Sequence, residues 1–217
     1  MTLVTLDDCY GFDTDAPLTH ATAASLAAAT YHGHPIRFAI RYVSFTQPFP
    51  GDLSSLEAGA ITGAGLVLLV VCHPPNPRWT ASGQLGRSHG AWAAKNALAA
   101  GYAQGCHLFV DLEGLANSGG PVSDYANEWC SEVAQAGYDP AVYVGFDAGL
   151  NASELYALPL PTRYWSDDGN RQVAARGCCM HQGPTVTIAG FSVDPDHHSP
   201  DAFGGCLVGM GASIAVG

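Results

Sequence analysis

Short apolar runs return along the chain: CYGFD (9–13), RFAIRYVS (37–44), GLVLLVVCH (65–73), HLFVDLEG (107–114) and AVYVGFD (141–147). Each has the length of a strand, and their near-continuous apolar character suits strands covered on both faces. Between them lie Ala-rich stretches of helical length: THATAASLAAATYHG (19–33), DLSSLEAGAITG (52–63), GQLGRSHGAWAAKNALAAGYAQ (83–104) and VSDYANEWCSEVAQAG (122–137). The last is the clearest helix, with Val122, Tyr125, Ala126, Trp129, Cys130, Val133 and Ala134 at i, i+3, i+4, i+7 spacing. Ser123 or Asp124 is placed to cap its start, and Gly137 to close its end.

Strand and helix in alternation predict a parallel sheet with helices outside it. After residue 147 the rhythm changes. TRYWSDD (162–168), CCMHQG (178–183) and TVTIAGFSVD (185–194) read as three strands, with one short helical candidate, NASELYAL (151–158), among them. The whole predicts an α/β fold: a TIM-like barrel of five βα units followed by three strands with few helices, one domain over residues 1–217. The rival is an open doubly wound sheet, but no GxGxxG or P-loop follows any strand to support its usual nucleotide site.

Composition narrows the function classes. The chain is 47% hydrophobic and 12% charged, which is globular rather than disordered. Its 19 acidic and 8 basic residues leave a net charge of −11, no footing for a nucleic-acid partner. No basic amphipathic segment is present, and the apolar run at 65–72 is too short to span a bilayer, so no membrane insertion is expected. MTLVTLDDCYGF lacks the basic start and long apolar core of a signal peptide. Synthesis in the cytoplasm is therefore expected, with any export by a leaderless route such as phage lysis or specialised secretion. Seven cysteines without CxxC or zinc spacing suggest reduced structural thiols, Cys72 and Cys106 acting as small buried hydrophobes.

HLFVDLEG carries the sharpest chemical signal, because Asp111 and Glu113 at i and i+2 of a strand must share a face. In a parallel barrel the site lies at the C-terminal strand ends. Those ends carry Asp13 with Asp15, Arg41 with Tyr42, His73, Asp111 with Glu113, and Asp147. Trp165 with Asp167 and Asp168, His181 with Gln182, and Asp194 with Asp196 continue the circuit. Two neighbouring carboxylates repel, so at least one should hold its proton to higher pH, as a general acid requires. A second carboxylate can stabilise an oxocarbenium-like centre, which is the outline of a glycosidase. Plainer readings compete. Asp13 and Asp194 could be turn caps beside Pro17 and Pro195, Trp165 a core aromatic, and His197-His198 a solvated loop. A metal-dependent hydrolase on Asp13, Asp15, His73 and His181 lacks any HxxxH or HExxH, so neither metal nor cofactor is called for.

The segments YGFDTDAP, FAIRYVS, HLFVDLEG, AVYVGFD, RYWSDD and FSVDPDHH, in that order, resemble the glycoside-hydrolase-like barrel family known as DUF1906 or Rv2525c-like. The resemblance spans roughly residues 9–205 and extends to the GH25 lysozymes, which share such a barrel. It implies that Glu113 carries the general acid, with Asp111, Asp13 and Asp194 as its companions. Asp196 stands where those lysozymes more often have Asn. By the same resemblance the expected function is a glycoside hydrolase of muramidase (lysozyme) type on bacterial peptidoglycan. Tyr42, Tyr143 and Trp165 are candidate sugar-stacking walls, with Arg41, Gln182 and Asp196 as further substrate-binding candidates. The alternative is a peptidoglycan- or carbohydrate-binding barrel that has lost turnover.

Overall fold

The computed structural model describes residues 1–74, 76–167 and 173–212. Asp168, the last residue of one predicted strand, lies outside them. In chain order the elements are β1 (Thr2–Thr5), β2 (Cys9–Asp13), α1 (His20–Ala27), β3 (Thr30–Tyr31), β4 (His34–Val43), α2 (Ser55–Gly63) and β5 (Val67–Cys72). There follow α3 (Gly83–Ala99), β6 (His107–Leu112), α4 (Gly120–Gln135), β7 (Asp139–Val144) and α5 (Ala152–Tyr156). The chain then runs through β8 (Tyr164–Ser166), β9 (Met180–Gln182), β10 (Val186–Ile188), β11 (Phe191–His198) and β12 (Val208–Gly211).

Strands β2, β4, β5, β6, β7, β8 and β9 are parallel neighbours, and β11 closes the ring between β9 and β2. β11 pairs antiparallel with both. This is a closed eight-stranded mixed barrel and not an open doubly wound sheet. Side chains alternate as a pleated strand requires. Phe38, Ile40, Leu69, Val71, Phe109, Ala141 and Met180 fill the barrel. Ala39, Val43, Leu68, Val70, Leu108, Val110, Leu112 and Val142 pack outward among the helices. Cys72 and Cys106 are buried in that outer layer.

The structure departs from the sequence pattern at several elements. The predicted strand at 185–194 is a hairpin, β10 paired with β11, because Ala189 and Gly190 both take positive φ (50° and 85°) and reverse the chain. The predicted helix at 19–33 ends at Ala27, and His32-Gly33 makes a second tight turn (φ 51° and 82°) between β3 and β4. α4 starts earlier than its expected caps. Gly119 (φ 67°) precedes it and Pro121 sits in its first turn, so Ser123 and Asp124 lie inside the helix and do not cap it. Gly137 does follow its end, at φ 88°. His197 and His198 are strand residues and not a solvated loop. His198 is fully buried, donating from Nδ1 to the Asp7 carbonyl (2.8 Å) and accepting at Nε2 from the Leu207 N–H (3.1 Å).

α3 and α4 pack so closely that a Cβ at Gly86 would lie 2.2 Å from the Tyr125 carbonyl oxygen. Outside the barrel, β12 pairs with β1 and touches β5 at Met210–Leu68. Among the described residues, no helix is long and apolar enough to cross a membrane.

Candidate active site

Seven parallel β-strands lead to one rim, and β6 delivers the central pair to it. Leu112 turns outward into the helix layer, which aims Asp111 and Glu113 inward, Asp111 almost fully buried and Glu113 half-buried above it. Because β11 runs antiparallel, Asp194 reaches the same rim from the N-terminal half of its strand, directly opposite Asp13 on β2. A cleft of about 500 Å³ opens there, lined by Asp13, Tyr42, His73, Asp111, Glu113 and Asp194 together with Asp15 and Thr185. No Lys or Arg among the described residues lines it.

The carboxylates differ in their partners. Asp13 accepts from the Tyr42 hydroxyl at Oδ1 (2.8 Å) and from the Gln182 amide at Oδ2 (2.6 Å). Gln182 is oriented in turn by the Tyr143 hydroxyl, which donates to its Oε1 (2.8 Å). Burial pushes Asp13 up to about 7, against the pull of those two donors and with the Asp194 charge adding to the push. Asp111 lacks a partner at Oδ1. Burial, then the charge of Glu113, then that of Asp13 drive it well above the ordinary carboxylate range. The mutual repulsion expected of the DxE pair is thus felt by its deeper member. Asp194 accepts from the Thr185 hydroxyl, and Asp52 stands 3.3 Å from Nε2 of His73, whose ring lies 4.7 Å from that of Tyr42.

Other candidates lie away from the cleft. Arg41 is fully buried and points out of the barrel, where it meets Glu57 (2.6 Å) and the carbonyls of Thr14 and Gly51. The pleat explains this: Tyr42, its neighbour on β4, takes the inward direction. Trp165 is 1% exposed and packs edge-on against Phe109 inside the barrel, so it is core and not a sugar-stacking wall. Tyr143 is buried too, and only Tyr42 of the three proposed walls lines the cleft. Gln182 stands behind Asp13, and Asp196 lies deeper still, fully buried. His181 faces the outside of the barrel, where its Nδ1 meets the Ser166 hydroxyl at 2.9 Å and it lines a separate hollow with Tyr10 and His197. It cannot join His73 on a metal, and no described group of three His, Cys, Asp or Glu side chains could hold one.

Two positions that shape the site escape the sequence pattern. The Trp79 indole N–H donates to the Glu113 carbonyl (2.9 Å), tying the loop after β5 to the loop after β6. Gly145, just past β7, leaves room for the Glu113 side chain, where a Cβ would approach Oε2 to 2.7 Å. The only sequence trace of the latter is a glycine interrupting AVYVGFD.

The profile of the Rv2525c-like, glycoside hydrolase-like domain matches residues 29–190. The chain belongs to this family. Its barrel resembles the Mycobacterium tuberculosis Tat-secreted protein Rv2525c, solved in complex with HEPES, at TM-score 0.66 and 18% identity over 90% of this chain and 98% of that one. It is also similar to a muramidase from Acremonium alcalophilum, at TM-score 0.59 and 15% identity over 90% and 95%. A third likeness is to the modular autolysin LytC from Streptococcus pneumoniae, in complex with a synthetic peptidoglycan ligand. There the TM-score is 0.61 and the identity 8%, over 87% of this chain and 46% of that one. No curated protein is similar enough in sequence to count as a relative.

Proposed function

We propose that this Rv2525c-like barrel is a glycoside hydrolase of muramidase type that cleaves peptidoglycan glycan strands between N-acetylmuramic acid and N-acetylglucosamine. The observation that carries the reading is the convergence of Asp13, Asp111, Glu113 and Asp194 on one cleft that no Lys or Arg among the described residues lines. A positively charged sugar is the partner such a cleft is built to stabilise. The muramidase and the peptidoglycan-bound autolysin that share the fold support the same substrate class.

In this mechanism Glu113, at the mouth, gives its proton to the glycosidic oxygen as the bond to the anomeric carbon breaks. Asp194 and ionised Asp13 face the positive charge that develops on the sugar. Asp111, holding its proton, can donate to the substrate or to Glu113. A water oxygen then adds to the anomeric carbon, and the proton it sheds returns to a cleft carboxylate. The substrate lies outside the cytoplasmic membrane, so the protein acts there.

The test is reducing-sugar release, with mass analysis of fragments, from purified peptidoglycan. Wild type should generate new reducing ends, and Glu113→Gln should lose at least about 100-fold in rate. Undiminished release by Glu113→Gln overturns the assignment. Saturable binding by wild type with no new reducing ends assigns the cleft to binding alone.

A further inference from the structure

Below the cleft, Asp196 sits fully buried in β11, across from Gly11 of β2 and Gln182 of β9. Neither of its oxygens is at hydrogen-bond geometry to a donor, and the Trp165 indole N–H, also unmatched, faces it from β8. Among the described residues, the ionisable side chains that meet Asp196 and Asp13 are acidic or neutral, Tyr143 of β7 among them. Asp13 comes from β2, Asp194 from their own rim of β11, Tyr42 from β4, and Asp111 with Glu113 from β6. Arg41 of β4 is committed to Glu57 on the other side of the sheet. A bare carboxylate here would be a buried charge met by no cation among the described residues, with only the Trp165 indole N–H, short of hydrogen-bond geometry, to favour it, a state that costs several kcal/mol. A neutral acid, by contrast, brings its own donor, and Asp13 is an acceptor beside it.

We propose that Asp196 is a positioning residue kept as a neutral carboxylic acid, whose O–H donates to Asp13 so that the two share one negative charge. Asp13 then accepts from Tyr42, Gln182 and Asp196 and is held from three sides at the floor of the cleft. The value of that arrangement to catalysis rests on the muramidase reading. The shared proton does not. Asp13 ionises first, at about 7, and Asp196 only at higher pH, because burial and the charge already on Asp13 both oppose it.

Carbon-13 NMR of protein labelled at aspartate Cγ tests the pair without any turnover. In wild type, the Asp196 Cγ should keep the shift of a protonated acid above pH 7, and Asp13 should show two inflections. Asp196→Asn removes one resonance, which assigns it. It should also reduce the Asp13 titration to a single step near its original position, since the amide still donates. Asp196→Leu removes the donor and should move the Asp13 step up by about one pH unit. An Asp196 resonance that titrates in the ordinary carboxylate range overturns the proposal, as does an unmoved Asp13 step in a folded Leu variant. If the Leu variant does not fold, the wild-type titration alone decides. Peptidoglycan hydrolysis, measured separately, should survive Asp196→Asn and fall in Asp196→Leu. A wild type with no hydrolysis counts against the muramidase reading, while the titration still decides the shared proton.

Discussion

The Glu113 side chain rests against the backbone of Gly145, so closely that a Cβ at residue 145 would stand 2.7 Å from Oε2 and 2.8 Å from the Glu113 Cβ. β6 and β7 are adjacent parallel strands, and this contact sets where the acid points. Gly145→Ala should therefore turn Glu113 away from the cleft while leaving the barrel intact. The expected outcome is a fall of about 10-fold or more in the rate of peptidoglycan hydrolysis, with thermal unfolding within a few degrees of wild type. Full turnover in a folded Gly145→Ala would show that the Glu113 position is not what the rate depends on.

Arg41 and Glu57 form an ion pair at 2.6 Å under α2, and Glu57 also accepts from the Leu18 N–H (2.7 Å). Removing one buried partner leaves the other uncompensated, at a cost of about 3–5 kcal/mol. Arg41→Met and Glu57→Gln should each lower stability in urea by that order. The double variant Arg41→Met/Glu57→Leu should recover part of the loss. Because the guanidinium points away from the cleft, KM for soluble glycan fragments should not change in Arg41→Met. A KM effect without a stability effect would return Arg41 to the substrate.

Acid should weaken the fold through His107. This imidazole is buried, its Nδ1 accepts from the Val208 N–H (2.8 Å), and burial lowers it from 6.5 to about 4 despite the opposing charge of Asp139. A lowered histidine means that the unfolded chain binds the proton first, so stability rises with pH through this window. The contribution is complete above about 6.5 and is lost as pH falls toward about 4, roughly 3 kcal/mol in all. His198, lowered chiefly by burial, adds in the same direction. Urea unfolding across this range should show the slope, and His107→Gln should flatten it. An unchanged slope in that variant would place the acid sensitivity elsewhere.

Much of the barrel is legible along the chain because its signals are local. The runs at 37–44, 65–73, 107–114 and 141–147 all contain barrel strands, and the Ala-rich stretches between them all contain helices. Asp111 and Glu113 are readable as one inward pair because a strand repeats every two residues. The inward phase of β4 is a different matter. Arg41 and Tyr42 both stand at a strand end rich in apolar neighbours, and only pairing with β2 and β5 determines which of them faces the cleft. Likewise Tyr143 and Trp165 are aromatic at the right height, yet the narrow barrel interior encloses them before they can reach a ligand.

By itself, the sequence determined the strand and helix periods, the absence of cations among the candidate site residues beyond Arg41, and the carboxylates available for chemistry, because each of these is carried by residue type and short spacing. Tertiary structure decided the rest. The reversal at Ala189-Gly190 turned β11 antiparallel, and ring closure against β2 then set Asp194 beside Asp13 at the rim and sank Asp196 beneath them. Two aspartates two residues apart are alike in sequence. Their depth in a closed barrel, and so the solvation that governs their charge, exists only once distant strands have met.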